Sequence, residues 1–434
     1  MARRSLDRSS ACSIPLDLPA AELLLVPSDT PERDNPPEWL PAGTQVQAGA
    51  ILLTISSQAH ATPVAPVAGV LGAPATVRVV GGRRVHAVEL RPVAPSDATP
   101  TQPATVAGPT ADQLSGITAA NLSEWVTRIH QSGIAADRWT CPDLLGQLRD
   151  ALSRPVDTLI CNLLDSDPWL PVARVVAGAW PVELATGLGL LGRLTNAANW
   201  WALTDQSDDF TAALRKAAAA VAGQLRIAPV ENDYPQLDPT LLVKATTGRR
   251  LRPGRRPTSL GILLVDAPAA IAIGRLVLQD ARATRVPFVL YDQASDASYA
   301  FTAAPGTSVA SIARHIGLPS SVREIYAGGP LRQIRVADED VIGGGELTLF
   351  AAPPQPVIPA EPCVRCGWCI ETCPTRCRPA SLLEAAQFQD FDLARHNGLD
   401  ACIECGLCTF VCPSRLPLLE GIRLIRGEIA ADRA

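Results

Sequence analysis

Histidine is scarce in this sequence. The five residues, at 60, 86, 130, 315 and 396, show no spacing that suggests a metal ligand set or a catalytic triad, so all five read as structural or solvated. A charge excess is lacking too. Lys and Arg total 38 against 43 Asp and Glu, and a net charge of −5 gives no reason to expect nucleic acid or an anionic membrane surface as partner. Long hydrophobic runs are missing. The best, "APAAIAIGRLVL" (Ala267–Leu278), is interrupted by Arg275 and falls short of the roughly 20 apolar residues a membrane span needs. At the start, "MARRSLDRSSACSIPLDLPAAELLLVP" is basic, but Asp17 and Glu22 break its apolar run, so no secretory signal is expected. Any membrane attachment is expected to come through a partner. What remains, 47% hydrophobic and 19% charged residues, describes a folded chain of several domains.

Two proline-rich stretches, "RPVAPSDATPTQPATVAGP" (Arg91–Pro109) and "AAPPQPVIPAEP" (Ala351–Pro362), read as extended connections. The expected organisation is a small β unit over 1–91, a linker over 92–109, an α/β unit over 110–300, a small α+β unit over 301–353 and a cysteine-rich unit over 354–434. In the first, "PAGTQVQAGAILLTI", "PVAPVAGVLGA" and "VRVVGGRRVHAVEL" are β-branched runs between glycine turns. They resemble the barrel-sandwich fold of biotinyl and lipoyl carriers. Those carriers need a lysine between the halves, and "SSQAHATP" (Ser56–Pro63) has none, so a docking or structural module is expected. In the α/β unit, "VDTLICNLL" and "LGILLVDAP" read as buried strands, and "DDFTAALRKAAAAVAGQL" and "AAIAIGRLVLQDA" as helices.

Cysteine is clustered. Cys12, Cys141 and Cys161 stand apart, while nine fall between Cys363 and Cys412, which argues for metal and a reducing compartment rather than disulfides. Cys363, Cys366, Cys369 and Cys373 form C-x2-C-x2-C-x3-C-P; so do Cys402, Cys405, Cys408 and Cys412. This run grips a [4Fe–4S] cluster, and in two-cluster ferredoxins its fourth cysteine ligates the other cluster. Cys363, Cys366, Cys369 and Cys412 are therefore assigned to one cubane, and Cys402, Cys405, Cys408 and Cys373 to a second. Paired zinc knuckles are the rival, but they lack the third cysteine and the x3-C-P. The helix-forming "PASLLEAAQFQDFDLARHNGL" between the motifs, and the stripe Leu418, Ile422, Ile425 and Ile429 after them with Arg423 and Arg426 facing away, predict an α-helical two-cluster ferredoxin arrangement. Cys377 reads either as a spare ligand or redox thiol, or as a small residue after a turn. Arg365, Arg376 and Arg378 place positive charge beside the first motif, which favours its reduced state.

In this order the parts resemble the C subunit of the Rnf ion-translocating electron transport complex. The likeness is strongest in "GGPLRQIRV", "GGGELTLFAAP", "CVRCGWCIETCP" and "HNGLDACIECGLCTFVCPSRLPL". It implies a multidomain α/β protein with small β modules: an N-terminal barrel-sandwich, an α/β domain like the flavoprotein subunit of complex I, a β-grasp-like soluble-ligand-binding (SLBB) unit and the two-cluster domain. It also implies partners, namely the other subunits of a membrane electron-transport complex and a ferredoxin or flavoprotein redox partner. The implied location is the cytoplasmic side, peripheral to the inner membrane.

Family members pass a hydride from NADH to FMN and then single electrons to the clusters. Their flavin site uses a glycine-rich loop after "AGI", where bare backbone can approach phosphate. Here that loop reads "SGIAADRWTCPDL", with side chains from Ala135 to Cys141 and a repelling Asp137. Where the family has approximately N-G-A-E-x-E-P-Y, this chain has "NLLDSDPW", with Leu163 and Leu164 for small residues and with Asp165 and Asp167 shorter by a methylene. The family's glycines after "YPQ" are replaced by "LDPT" (Leu237–Thr240). A degenerate flavin site is expected, with Asp165 and Asp167 reduced to loop or helix-capping residues. Four functions stay open: an electron-transfer subunit without its own FMN or NADH site, a complete NADH-oxidising FMN subunit, a soluble relative of the cobalamin-reductase type, and a non-redox assembly scaffold.

Overall fold

The computed structural model describes residues 15–54, 61–93, 114–165, 167, 169–205, 209–231, 233–318, 323–354, 356 and 358–432. Cys12, His60, most of the hairpin without lysine and nearly all of the first proline-rich stretch lie outside them. The N-terminal strands Leu24–Pro31, Arg84–Pro92, Gly69–Arg78 and Gln45–Val46 form an antiparallel sheet in that order. Alternation puts Leu24, Val26, Leu71, Val88 and Leu90 into its core.

The strands Thr158–Asn162, Asn199–Thr204, Leu225–Pro229 and Ile262–Asp266 make a parallel sheet. Thr158–Asn162 and Ile262–Asp266 are buried along their whole length, which explains their unbroken apolar runs. The chain starts at Thr158–Asn162, steps twice to one side, then crosses over to add Ile262–Asp266 on the other. Strand order therefore reverses between those two, and the crevice beyond their carboxyl ends is the place where such sheets bind ligands. Over the sheet, helices Pro181–Thr195 and Ala267–Gln279 cross with their backbones nearly touching. A Cβ on Gly187 would lie 1.9 Å from the Ala270 carbonyl oxygen, and one on Gly274 1.9 Å from that of Glu183.

Among the described residues no single helix is long and apolar enough to cross a membrane. Helices Val172–Ala179 and Pro181–Thr195 reach that length only together, bent by 98°.

A second sheet runs Leu16–Asp17, Ala297–Ala303, Val286–Asp292, Thr348–Ala352, Glu324–Ala327 and Ile334–Val336. Two of its strands, Val286–Asp292 and Ala297–Ala303, fall largely inside the expected α/β range of 110–300. Their hydrogen bonds to each other and to Thr348–Ala352 carry them into the second sheet, so the pairing divides the chain before Val286. Leu16–Asp17 also joins it, pairing with Ala297–Ala303.

The C-terminal unit is an internal repeat at a constant offset of 39 residues. Short helices Trp368–Glu371 and Leu407–Phe410 correspond, as do helices Pro379–Phe388 and Leu418–Asp432. Positive φ recurs at Arg365 and Glu404, at Gly367 and Gly406, and at Arg376 and Arg415. The helix-forming run between the motifs breaks once. Gln389 turns left-handed at φ 53°, and Asp390 caps a second helix, Phe391–His396, by accepting from Leu393 N at 2.9 Å. Leu382, Leu418, Ile422, Ile425 and Ile429 bury together as the apolar stripe predicts.

Candidate metal centres and the switch-point crevice

The repeated turn explains the cysteine spacing. Two left-handed residues followed by one helical turn curl the backbone around the sulfurs, so that N–H groups face them. Glu404 N donates to Cys402 Sγ at 3.4 Å and Cys377 N to Cys373 Sγ at 3.3 Å. Such donors stabilise the thiolate a metal requires. The motifs also interleave. Cys377 hydrogen-bonds both Cys373 and Cys402 and lowers both thiols, Cys373 to about 5. Cys405 feels the charges of Cys402 and Cys373, whereas Cys369 feels those of Cys366 and Cys412. Each fourth cysteine thus stands near the other motif. Among the described residues no three His, Cys, Asp or Glu side chains converge tightly enough for a single metal ion. The residues fit two cubanes, whose thiolates stand farther apart than those around one ion.

The two nests differ in exposure. Cys363 and Cys366 are exposed, among exposed Val364, Trp368 and Ile370. Cys405 and Cys408 are buried. The second motif is pressed against the short helix Gly329–Arg332 that joins two strands of the second sheet: a Cβ on Gly406 would lie 1.9 Å from the Leu331 carbonyl oxygen. Tyr234 donates to the Cys405 carbonyl at 2.5 Å. Arg423 and Arg426 stand off the apolar stripe, as its spacing suggested, and are half-buried. Both clamp Glu404, and Arg426 also donates to the carbonyls of Leu399 and Cys402, at 2.8 and 2.9 Å. Burial alone would raise the Glu404 carboxyl; the two guanidiniums outweigh it and hold it low. Their position on the polar face of the last helix was legible, their target was not.

At the point where strand order reverses, beyond Asn162 and Asp266, the crevice holds a cavity of about 40 Å³ lined by Asp137, Trp139, Thr140, Leu164 and Arg332 among others. That is space for a few waters; ligand pockets take about 300–1,000 Å³. The loop "IAADRWTC" fills it. Asp137 N donates to Asp266 Oδ2 at 2.6 Å, and Asp137 accepts in turn from Trp139 N at 2.8 Å. Trp139 has the guanidiniums of Arg138 and Arg332 over its ring, at 4.1 and 4.3 Å, and donates from Nε1 to Glu346 at 2.8 Å. Gly344 lets Ala135 close in; a Cβ there would meet it at 2.1 Å. Burial raises the carboxyls of Asp137 and Glu346, and Asp266 to about 7. FMN does not fit this crevice.

The other divergent residues do local work. Leu163, Leu164 and Leu237 are core. Asp165 accepts from Ala173 N at 2.7 Å, at the start of helix Val172–Ala179, and Asp167 accepts from Trp169 N at 2.9 Å. Asp238 caps helix Pro239–Thr247. Cys141 and Cys161 are buried, with their thiols pushed well up. His86 contacts the Asp34 carbonyl and His315 that of Ser311, far from any nest.

Fold and site together define an iron–sulfur protein whose cluster unit is docked on a flavoprotein-type α/β domain. Residues 147–275 match the family described as the Nuo51 FMN-binding domain, and residues 362–417 the 4Fe-4S dicluster domain. The C subunit of the ion-translocating oxidoreductase complex of Yersinia pseudotuberculosis is 30% identical over 70% of this chain and 44% of its own length. That of Erwinia tasmaniensis is 29% identical over 71% and 39%. The chain is homologous to these C subunits over about 70% of its length and spans less than half the length of these two. A crystal structure of NAD+-reducing [NiFe]-hydrogenase in the air-oxidized state aligns over 74% of this chain and 56% of its own, at TM-score 0.46 and 16% identity.

Proposed function

We propose that this chain is an electron-transfer subunit of an Rnf-like, membrane-associated oxidoreductase, and that it works without FMN or NADH of its own. The carrying observation is the interleaving of two C-x2-C-x2-C-x3-C-P nests: Ser414, just past Cys412, donates from its hydroxyl to the Pro362 carbonyl before Cys363 at 3.0 Å, and Cys377, just past Cys373, donates to the Gly398 carbonyl ahead of Cys402 at 3.2 Å. Cys363, Cys366, Cys369 and Cys412 would hold an outer cluster, and Cys402, Cys405, Cys408 and Cys373 an inner one. A [4Fe–4S] cubane supplies one-electron chemistry when bound. The chain's part is to present thiolates, to aim N–H donors at them, to exclude water around Cys405 and Cys408, and to keep the two nests adjacent.

The closed crevice supports a route that bypasses flavin. Its donor is then a one-electron carrier, a ferredoxin or a flavoprotein, and its partners include the other subunits of the complex, which hold it on the cytoplasmic side of the inner membrane. The N-terminal sheet is read as the barrel-sandwich unit of 1–91, and the second sheet as the β-grasp-like SLBB unit with its start moved ahead of Val286.

The test is anaerobic purification with reconstitution. About eight irons and two reducible cubane signals are expected, with no flavin absorbance and no bleaching by NADH. Bound flavin that NADH bleaches would restore the complete NADH-oxidising subunit; clusters that cannot be reduced would leave only a scaffold.

A further inference from the structure

Between the segment 239–256 of the α/β unit and the second cysteine motif lies an open cleft of about 870 Å³. One wall carries exposed Arg154, Lys244, Arg250, Arg252 and Arg255. The remaining arginines of "GRRLRPGRR" are neutralised: Arg249 pairs with Asp157 at 2.9 Å, and Arg256 with Asp143 at 2.5 Å and Asp150 at 3.3 Å. Arg154, Lys244, Arg250, Arg252 and Arg255 take part in no ion pair among the described residues. Their concentration stands out on a chain whose net charge is −5. The opposite wall carries Cys402 and Ile403, with Pro374 and Thr375, which follow Cys373 directly, and two acidic residues: Asp400, which is exposed, and Glu404, which is neutralised by Arg423 and Arg426. Cys402 and Cys373 are both assigned to the inner nest, whose other two cysteines, Cys405 and Cys408, are buried. The cleft is therefore an open approach to that nest. The outer nest is flanked by exposed apolar Val364, Trp368 and Ile370 as well as by exposed Arg365, Arg376 and Arg378, and no such cleft leads to it among the cavities described.

We propose that this cleft docks an acidic one-electron carrier protein and is where electrons enter the chain. The inference rests on the relay reading above. Unpaired cations spread along a rim suit an acidic protein surface, which they would steer and orient as it approaches. The reduced carrier would give up one electron, and Cys402, Cys405, Cys408 and Cys373 would hold the cluster that supplies its one-electron acceptor. No bond forms or breaks and no proton moves.

The experiment mixes the reconstituted full chain with a reduced acidic [2Fe–2S] ferredoxin in a stopped-flow cell, alongside calorimetric titration of the oxidised ferredoxin. The second-order rate is expected to fall at least tenfold between low salt and about 0.5 M salt. The variant R252E/R255E should lose at least tenfold at low salt and weaken binding, while F388A, at an exposed apolar position outside both motifs, leaves both unchanged. A rate indifferent to salt and to R252E/R255E overturns the proposal, as does a rate lowered by F388A alone. Tight binding of tripolyphosphate that leaves the ferredoxin rate untouched also overturns it, marking a small-anion site. Reduction by dithionite separates the two readings. If dithionite reduces both clusters and ferredoxin fails, the cleft fails and the relay stands; if dithionite reduces neither, the relay fails, and calorimetry still reads the docking.

Discussion

The repeat supplies its own control for how the inner nest is held. Gly367 and Gly406 occupy equivalent positions with nearly equal backbones, φ 82° and 80°. A Cβ on Gly367 meets nothing within 4 Å, while one on Gly406 would lie 1.9 Å from the Leu331 carbonyl oxygen and 2.8 Å from its carbon. Replacing either with alanine costs about 1–2 kcal/mol for the left-handed backbone. Only Gly406→Ala adds the clash, and because the opposing atoms are backbone, either the 331 turn or the motif must shift. Overpacking of this kind costs about 1–3 kcal/mol, so G406A should exceed G367A by that amount, about 5- to 150-fold in the equilibrium for undocking the nest. The assay is anaerobic iron release to a chelator, with hydrogen exchange of 402–410 reporting the docking contact. G406A should release the four irons of its inner cluster faster and lose protection at 402–410, and G367A should do neither. Equal behaviour of the two variants would refute the claim that the second motif is seated on the Gly329–Arg332 turn.

The cluster assignment predicts that Cys373→Ser abolishes the same EPR signal as Cys405→Ser, and Cys412→Ser the same signal as Cys366→Ser; loss within each motif instead would reverse it. Ile425, fully buried between the repeat helices, should cost about 2–5 kcal/mol as Ile425→Ala, read as a lower denaturant midpoint for loss of cluster absorbance. Burial raises Asp165 to about 7 from 3.8. The folded state then holds a proton that the unfolded state has released, so this group's contribution to stability is full below about pH 4 and falls as pH rises to 7. Asp165→Asn keeps the acceptor for Ala173 N and removes the titration. Relative to the parent it should gain more than about 1.4 kcal/mol at pH 8 compared with pH 5, one pKa unit's worth, in urea unfolding followed by circular dichroism; a pH-independent difference would contradict the buried charge.

Local chemistry was legible in the residues themselves. The strands Thr158–Asn162 and Ile262–Asp266 follow from apolar runs bounded by turns, and the last helix from a stripe at helical spacing, because burial imposes its period on the chain. Eight cysteines at fixed spacing carry their chemistry wherever they fold. The loop "IAADRWTC" announced by its side chains alone that bare backbone was missing. The sequence could not say what those side chains do. That Trp139 meets the guanidinium of Arg332 over its ring, that Glu346 receives its indole, and that the crevice shrinks to about 40 Å³ depend on segments some 200 residues apart. The same holds for the two strands reassigned ahead of residue 300, since pairing partners are chosen by the whole sheet rather than by local propensity. It holds most for the difference between the nests. Their sequences are near repeats, yet one is exposed and the other buried, because only the second meets Leu331, Tyr234 and the Arg423–Arg426 clamp. Spacing determined which atoms could bind a cluster; packing decided which cluster faces the body of the protein and which faces outward.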